Sequence, residues 1–152
     1  VTVQTVLDSV LDNARYNSFG LADTALAGDA RGALRTLRGL EAEATQAPAV
    51  LWALARDVTL LGHIDEDRRR GTSVAQSISQ RGVWRSRTQL VQDAFNRQTS
   101  ASIGRLQRLA FQTDCAVKGF IQGNPWQYLD QLVVLLAQGP QPSSVARRSR
   151  RL

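Results

Sequence analysis

The sequence predicts an all-α fold, a compact bundle of about six to seven helices, and three observations support it. Apolar residues recur at spacings of three and four in most segments, which is the period of a helix with one buried face. No segment alternates apolar and polar residues over the length of a strand. The chain of 152 residues is long enough for one domain with a hydrophobic core, and shorter than two full-sized domains require.

The most apolar long run, from Pro48 to Gly62, predicts the central helix of the bundle. Proline suits the first turn of a helix, and the only charges in the middle of the run are Arg56 and Asp57. We expect the helix to continue through a stretch of mixed charge and to end at Gly71. Its apolar residues cover much of the circumference and therefore predict burial: Val50, Leu51, Ala53, Leu54, Val58, Leu60 and Leu61.

Three helices are predicted before the central one. The first ends near Asn13 and has no neighbouring helix to pack against, which suggests the last helix of a preceding domain. Asn17 or Ser18 is expected to cap the second helix. Asp29 is expected to cap the third after a left-handed turn at Gly28, so that the second and third form a helical hairpin.

The segment after the central helix is less regular. Residues 72–82 are polar and predict a loop or a short, loosely held helix. A fifth main helix is predicted from Trp84 to Phe95. A sixth is expected to begin at a cap formed by Thr99 or Ser100 and to end at Gly123.

Two apolar patterns describe the last two helices. The sixth helix has a heptad-like seam, which is typical of one long helix lying along another: Ile103, Leu106, Ala110, Thr113, Val117 and Phe120. The last helix is expected to begin with Asn124 as its cap and Pro125 as its first residue. It is apolar on more than one face: Trp126, Leu129, Leu132, Val133, Leu135 and Leu136.

The positive charge is concentrated at the C-terminus. The net charge is +6, and four arginines among the last six residues leave only +2 for the rest of the chain: Arg147, Arg148, Arg150 and Arg151. Gly139, Pro140 and Pro142 break the helical pattern before them, so residues 138–152 are expected to form a basic disordered tail. These arginines are the candidate nucleic-acid-binding residues.

No catalytic, cofactor-binding or metal site is predicted. The chain has no Gly-Lys pair, so it lacks the loop that cradles nucleotide phosphates. His63 is the only histidine, and we expect it to be solvated rather than to bind metal. Cys115 has no basic neighbour to activate it and is expected to be an inert thiol. The absence of a membrane span, a signal peptide and a disulfide suggests a cytoplasmic protein without a membrane partner.

Five residues are candidates for a partner interface. Trp52, Trp84 and Trp126 lie among apolar neighbours and are expected in the core, and any of them that remains exposed is a candidate binding anchor. Asp114 and Lys118 stand four residues apart on one helix. That spacing predicts a surface ion pair, with contact to a partner as the functional alternative.

Several short motifs follow one another in a defined order. They are Phe19-x-Leu21-x-Asp23, Ala27-Gly28-Asp29, a helix of alternating Arg and Leu, Leu51-Trp52-Ala53-Leu54-Ala55-Arg56, Trp84-x-x-Arg87, Asp114-x-x-x-Lys118-Gly119, and Trp126 with Leu129. In this order and spacing, from Tyr16 to Ala137, the chain resembles the C-terminal domain of the delta subunit of bacterial DNA polymerase III.

The resemblance implies a fold of the clamp-loader collar type. It also implies that the chain divides into three segments. Residues 1–14 would end a lid domain, residues 15–137 would form a helical collar domain, and residues 138–152 would be the tail. The implied function is non-catalytic oligomerisation within the clamp loader, a five-subunit machine that places the sliding clamp on primed DNA during replication. The subunit that contains such a domain is part of the DNA polymerase III holoenzyme, a DNA-directed DNA polymerase.

The resemblance also implies the partners. They are the tau/gamma and delta-prime subunits, whereas the sliding clamp would be contacted only through an N-terminal domain that this chain does not contain. ATP is used by other clamp-loader subunits, so no cofactor is expected here.

Two other functional classes remain open from the sequence. A helical nucleic-acid-binding module would use the tail arginines together with Arg68–Arg70, Arg85 and Arg87 as phosphate contacts. A small helical enzyme is the third class, although its polar groups do not converge in the sequence.

Overall fold

The computed structural model describes residues 2–140, except for the side chains of residues 10–16. Over these residues it is all-helical, which confirms the predicted fold class. Seven α-helices and one short 3-10 helix form a compact bundle: α1 Val3–Leu26, α2 Ala30–Ala42, α3 Ala47–Arg69, α4 Val74–Gln80, the 3-10 helix Arg85–Arg87, α5 Thr88–Arg97, α6 Ser100–Val117 and α7 Pro125–Gln138. Within the described part of the chain, no helix is long and apolar enough to cross a membrane.

Helix α3 is the central helix, as predicted. It packs against α1, α4, α6 and α7. Ser100 at the start of α6 bonds Asp65 near the end of α3, and Gln107 lies over Gly62, so α3 and α6 run antiparallel. The core is made of large aliphatic side chains with 2% exposure or less, each of which stabilises the fold by about 1.5–3 kcal/mol through burial: Leu21, Leu26, Leu37, Leu54, Leu61, Ile64, Leu106, Leu129, Leu132 and Leu136.

Three of the predicted helix caps are present. Asp29 accepts a hydrogen bond from the Gly32 backbone N–H at 2.9 Å at the start of α2. Thr99 forms a capping box with Ser102 at the start of α6. Asn124 accepts from the Trp126 N–H at 3.0 Å at the start of α7. Each side chain satisfies a backbone donor that the helix itself leaves unpaired, and this fixes where the helix begins.

The first helix differs from the prediction. Helix α1 is one continuous element, so the predicted end near Asn13 and the second helix capped by Asn17 or Ser18 are wrong. Residues 13–18 contain neither glycine nor proline, and Ser18 is buried inside the helix rather than exposed at a cap. Val6 and Leu7 in the N-terminal part are exposed. The division between residues 1–14 and 15–137 stays a prediction.

The end of α6 also differs from the prediction. The helix ends at Val117, six residues before Gly123, because Gly119 adopts a left-handed conformation with φ +76°. Phe120, the last predicted residue of the seam, lies beyond the helix and is 74% exposed. Earlier seam residues are buried or half-buried as predicted: Ile103, Leu106, Ala110, Thr113 and Val117.

The segment between α3 and α5 is better held than predicted. Helix α4 is the short helix, and its Ile78 is almost fully buried. The Asp67 carboxylate on α3 accepts hydrogen bonds from Ser77 at 2.7 Å and from Arg81 at 2.8 and 2.9 Å. The fifth main helix begins at Thr88 rather than at Trp84, which precedes the 3-10 helix.

A polar junction between α5 and α6 connects three helix ends. Arg97 donates to the carbonyl oxygens of Leu26 at 2.5 Å and Ala25 at 3.4 Å, at the end of α1. Burial lowers the pKa of Arg97, and the charge of Asp93 opposes this effect. Gly139 is packed so closely that a Cβ atom there would lie 2.6 Å from the Arg97 carbonyl oxygen. A larger residue at position 139 would therefore force the junction apart.

Gln98 occupies the buried side of the same junction. Its Nε2 donates to the Leu135 and Leu136 carbonyl oxygens at 2.9 and 3.2 Å, near the end of α7. Its Oε1 accepts from the Ser102 hydroxyl at 2.7 Å. The Gln98 side chain thus donates to carbonyl oxygens near the end of α7 and also bonds the Ser102 hydroxyl near the beginning of α6.

We predict that Gln98→Ala lowers the free energy of unfolding by about 1–3 kcal/mol, because it removes the side-chain donor of the buried Leu136 carbonyl, one of the two donors of the Leu135 carbonyl, and one partner of the Ser102 hydroxyl. The measurement is urea denaturation followed by circular dichroism. Gln112→Ala, at an exposed position of α6, is the control and should change stability by less than about 0.5 kcal/mol. Equal effects of the two variants would contradict the role of Gln98.

We predict that Asp67→Asn removes part of the acid sensitivity of the fold. Hydrogen bonds from Arg81 and Ser77 hold the pKa of Asp67 at about 2, below its ordinary value of 3.8. The ionised carboxylate therefore stabilises the folded state above about pH 4, and this contribution disappears as the pH falls towards about 2.

The measurement for Asp67 is the melting temperature from pH 7 to pH 2. The wild-type protein should melt above the Asp67→Asn variant at neutral pH, and the two should converge at low pH. Burial raises the pKa of Asp65, but Ser100, Arg68 and Arg69 outweigh it and lower that pKa. The stabilisation that ionised Asp65 contributes is therefore lost over an overlapping pH range. This loss occurs in both proteins and does not affect the difference between them. A difference in melting temperature that is independent of pH would contradict the assignment.

Candidate protein-interaction surface

The described residues offer no clear place for chemistry. No group of three or more His, Cys, Asp or Glu side chains in residues 2–140 is arranged to hold a metal ion. His63 is exposed on α3, and Asp67, four residues later, is bound by Ser77 and Arg81. Cys115 is a half-buried free thiol on α6. The structure brings none of these side chains into a common site.

Two of the three tryptophans lie on the surface. Trp52 is 69% exposed and Trp84 is 79% exposed, so the expected core position is wrong for both. Trp126 is half-buried and packs against the core, as predicted. An exposed tryptophan is a large apolar surface that a partner can cover, so Trp52 and Trp84 meet the condition for binding anchors.

Trp52 belongs to a small cluster that joins α1 to α3. Its ring lies 6.4 Å from the ring of Phe19, at an angle of 57° between the planes. The guanidinium of Arg56 lies 4.5 Å from the centre of the Phe19 ring, within the range of a cation–π interaction. We call Phe19, Trp52 and Arg56 the aromatic cluster. Trp52 and Arg56 share one face of α3 because they are four residues apart.

A buried charge network lies next to the aromatic cluster. Asp57 is 1% exposed, and Arg87 binds its two oxygens at 3.1 and 3.4 Å. Arg87 also donates to Asp23 on α1 at 2.8 and 3.2 Å. Burial lowers the pKa of Arg87, but the charges and hydrogen bonds of Asp57 and Asp23 outweigh this effect and raise it. The network ties the 3-10 helix to α1 and α3.

The charge network also positions Trp84. Trp84 lies three residues before Arg87, and both line an open groove of about 540 Å³ together with Phe19 and Arg56. The sequence motif that pairs Trp84 with Arg87 therefore has a structural basis: Arg87 anchors the segment and Trp84 faces outward. Sequence analysis could not identify Asp57 as the partner, because 30 residues separate it from Arg87.

A second exposed apolar area lies at the end of α6 and beyond it. Phe111 is 70% exposed, and Phe120 and Ile121 are exposed in the connection to α7. Asp114 and Lys118 form the predicted ion pair on α6 at 2.8 Å, and the hydrogen bond to Asp114 raises the pKa of Lys118. The sequence analysis missed Phe111 and assigned Phe120 to the helix seam, because its pattern placed the end of α6 too late.

Most of the body arginines suggested as phosphate contacts have acidic partners. Arg68 and Arg69 both pair with Asp65, and Arg70 pairs with Glu66. Arg87 belongs to the buried charge network, so Arg85 is the one member of that set with no acidic partner among the described residues. The tail arginines lie outside the described residues: Arg147, Arg148, Arg150 and Arg151.

Comparison with known proteins gives one relevant similarity. No protein-family model matches the chain. The chain is 25% identical to DNA polymerase III subunit delta of Escherichia coli strain K12 over 140 residues, which cover 92% of this chain and 40% of that protein. It thus spans less than half the length of that relative. The similarity supports a distant relationship to the delta subunit.

We predict that Arg87→Ala lowers the free energy of unfolding by about 3 kcal/mol, because it leaves the buried Asp57 carboxylate without its main partner. The measurement is guanidinium denaturation. Arg85→Ala is a matched control, since Arg85 lies in the same 3-10 helix, is exposed and has no acidic partner among the described residues. It should change stability by less than about 0.5 kcal/mol, and a similar loss in both variants would count against the network.

Proposed function

We propose that this chain is a non-catalytic oligomerisation domain of a DNA polymerase III delta subunit, of the collar type. In this role it assembles the clamp loader, which places the sliding clamp on primed DNA in replication. The observation that carries the proposal is the similarity to the delta subunit over 92% of the chain. The all-helical fold and the exposed tryptophans are consistent with a domain that binds other proteins.

The proposed partners are the collar domains of the tau/gamma and delta-prime subunits. Contact with the sliding clamp would need an N-terminal domain that lies outside this chain, and ATP would be bound by other subunits. Residues 15–137 would form the collar domain, and residues 1–14 would belong to the preceding lid domain. Since α1 is continuous, the two domains would then share one helix.

The surface of the bundle has what such contacts require. A stable interface buries about 1,200–2,000 Å² in total, and a few large side chains usually provide most of its binding energy. Trp52 and Trp84 are two such side chains, and they lie on the same side of α3 as the groove lined by Phe19 and Arg56. The Asp114–Lys118 ion pair would add a polar contact on α6.

We predict that the chain forms a discrete complex with the collar domains of tau/gamma and delta-prime. Because the interface would be largely apolar, the complex should persist in about 0.5 M salt, where surface charges are screened. The measurement is sedimentation velocity of the separate and mixed proteins. Sedimentation of this chain as an unassociated species in every mixture would contradict the proposal.

Variants of the chain test in the same experiment whether Trp52 and Trp84 are the binding anchors. The double variant Trp52→Ala/Trp84→Ala should weaken the complex by at least about thirtyfold, the effect of one strong binding anchor. The control is Arg31→Ala/Arg35→Ala, at exposed positions of α2 with no acidic partner among the described residues. It should leave the affinity unchanged within about threefold.

A nucleic-acid-binding module is the second candidate. Trp84 and Phe120 are exposed aromatic rings, and Arg85, Arg105 and Arg108 have no acidic partner in the described part of the chain. Bases stack on such rings, and arginines bind phosphates. Tight, salt-sensitive binding of single-stranded DNA without any complex with the collar domains would favour this candidate, particularly if deletion of residues 141–152 weakens it.

A further inference from the structure

An open groove of about 760 Å³ lies beside Trp52, between α1 and the first turns of α3. The described residues that line it are apolar except for Ser18: Ser18, Phe19, Pro48, Ala49, Trp52 and Ala53. Sites that hold ligands or anchor side chains commonly measure about 300–1,000 Å³ and combine apolar walls with a few polar groups. This groove has the same composition, with Ser18 as the polar group.

Ser18 has an unusual environment. It is 1% exposed, and its buried hydroxyl oxygen has no hydrogen-bond partner among the described residues. A serine or threonine inside a helix usually donates to the carbonyl four residues earlier. Thr24, Thr36 and Thr113 all do so in this bundle, whereas Ser18 does not. Buried polar atoms are nearly always paired, so the Ser18 hydroxyl lacks an expected partner. Because its oxygen is buried beneath the groove that Ser18 lines, a group that enters the groove reaches it after a small shift of the neighbouring side chains.

The mouth of the groove favours oxygen atoms and negative charge. Pro48 and Ala49 lie in the first turn of α3, where Gln46 makes no side-chain cap and no acidic residue is present. The exposed amino end of a helix carries a partial positive charge. Arg56 does not line the groove itself, but its guanidinium lies above Phe19, which does, and its side chain is 44% exposed although it lies 3.4 Å from Asp57.

We propose that this groove binds a tyrosine side chain carried by an acidic segment of a partner protein. The phenol ring packs against Trp52 and Phe19, and its hydroxyl exchanges a hydrogen bond with Ser18. Acidic residues beside the tyrosine face Arg56 and the start of α3. The identity of the partner, a neighbouring clamp-loader subunit, rests on the proposed function, whereas the chemistry of the groove does not.

Other side chains fit these features less well. Phenylalanine would fill the groove but leave the Ser18 hydroxyl unpaired, which is unfavourable for a buried group. Lysine and arginine would be opposed by Arg56 and by the amino end of α3. A carboxylate inside the groove would lose its hydration against apolar walls. Tyrosine combines an aromatic ring with a neutral hydroxyl that can both donate and accept.

The first test uses p-cresol, the side chain of tyrosine, and toluene, which lacks the hydroxyl. Each is titrated into the full 152-residue chain, and amide and indole resonances are followed by NMR. We expect p-cresol to shift resonances of residues 18–19 and 48–53 and to bind about three- to tenfold more tightly than toluene, the effect of one hydrogen bond. Shifts located elsewhere, or equal binding of both compounds, would overturn the proposal.

Variants identify the groups responsible. Ser18→Ala removes a buried hydroxyl that has no partner, so it should fold normally and bind the two compounds equally. Trp52→Ala should weaken the binding of both compounds. Phe111→Ala is the matched control, since this aromatic side chain is similarly exposed but does not line the groove, and it should bind like the wild-type chain. A preference for p-cresol that survives in Ser18→Ala would overturn the proposal.

The complex with the collar domains separates this inference from the proposed function. If the complex forms and Ser18→Ala with Trp52→Ala weakens it at least tenfold, while Phe111→Ala has a smaller effect, both stand. If the complex forms but the groove variants have no effect, the proposed function stands and the groove is not the contact. If no complex forms although p-cresol binds as expected, the groove chemistry stands and the clamp-loader role falls.

Discussion

The junction between α5 and α6 constrains the whole bundle. The last carbonyl oxygens of a helix have no intrahelical donor, and in this fold the ends of α1 and α7 come together where water has little access. Arg97 and Gln98, which are adjacent in the chain, supply the donors for both. Gln98 also connects to the capping box that begins α6. The order of the helices around α3 is therefore fixed by hydrogen bonds as well as by aliphatic packing.

The sequence predicted the features that depend on local chemistry. The apolar run of α3 and the caps at Asp29, Thr99 and Asn124 were predicted because each depends on residues within one or two turns. The Arg97 and Gln98 hydrogen bonds could not be predicted, since they join residues 37 to 72 positions apart. Nothing in the local pattern around these two residues distinguishes them from other polar residues.

The errors at the helix ends have a common physical origin. Residues 3–9 of α1 are exposed, so the apolar side chains among them reflect no packing within the bundle and gave no information about where the helix ends. The α6 pattern ran past Gly119 because Phe120 happens to fit the same period. Periodicity identifies which face of a helix is buried, but the backbone at a single left-handed glycine decides where that face stops.

The candidate surface was only half predictable for a similar reason. Exposure of Trp52 and Trp84 depends on which elements cover α3 and the 3-10 helix, and that is a property of the whole fold. Asp57, a charge inside the most apolar helix, was visible in the sequence, but its partner Arg87 was not. The resulting network holds the backbone around Trp84 in place, as the cation–π contact holds Phe19 beside Trp52. A surface whose backbone is held in place before binding loses less conformational freedom in a complex, so more of its contact energy remains as affinity.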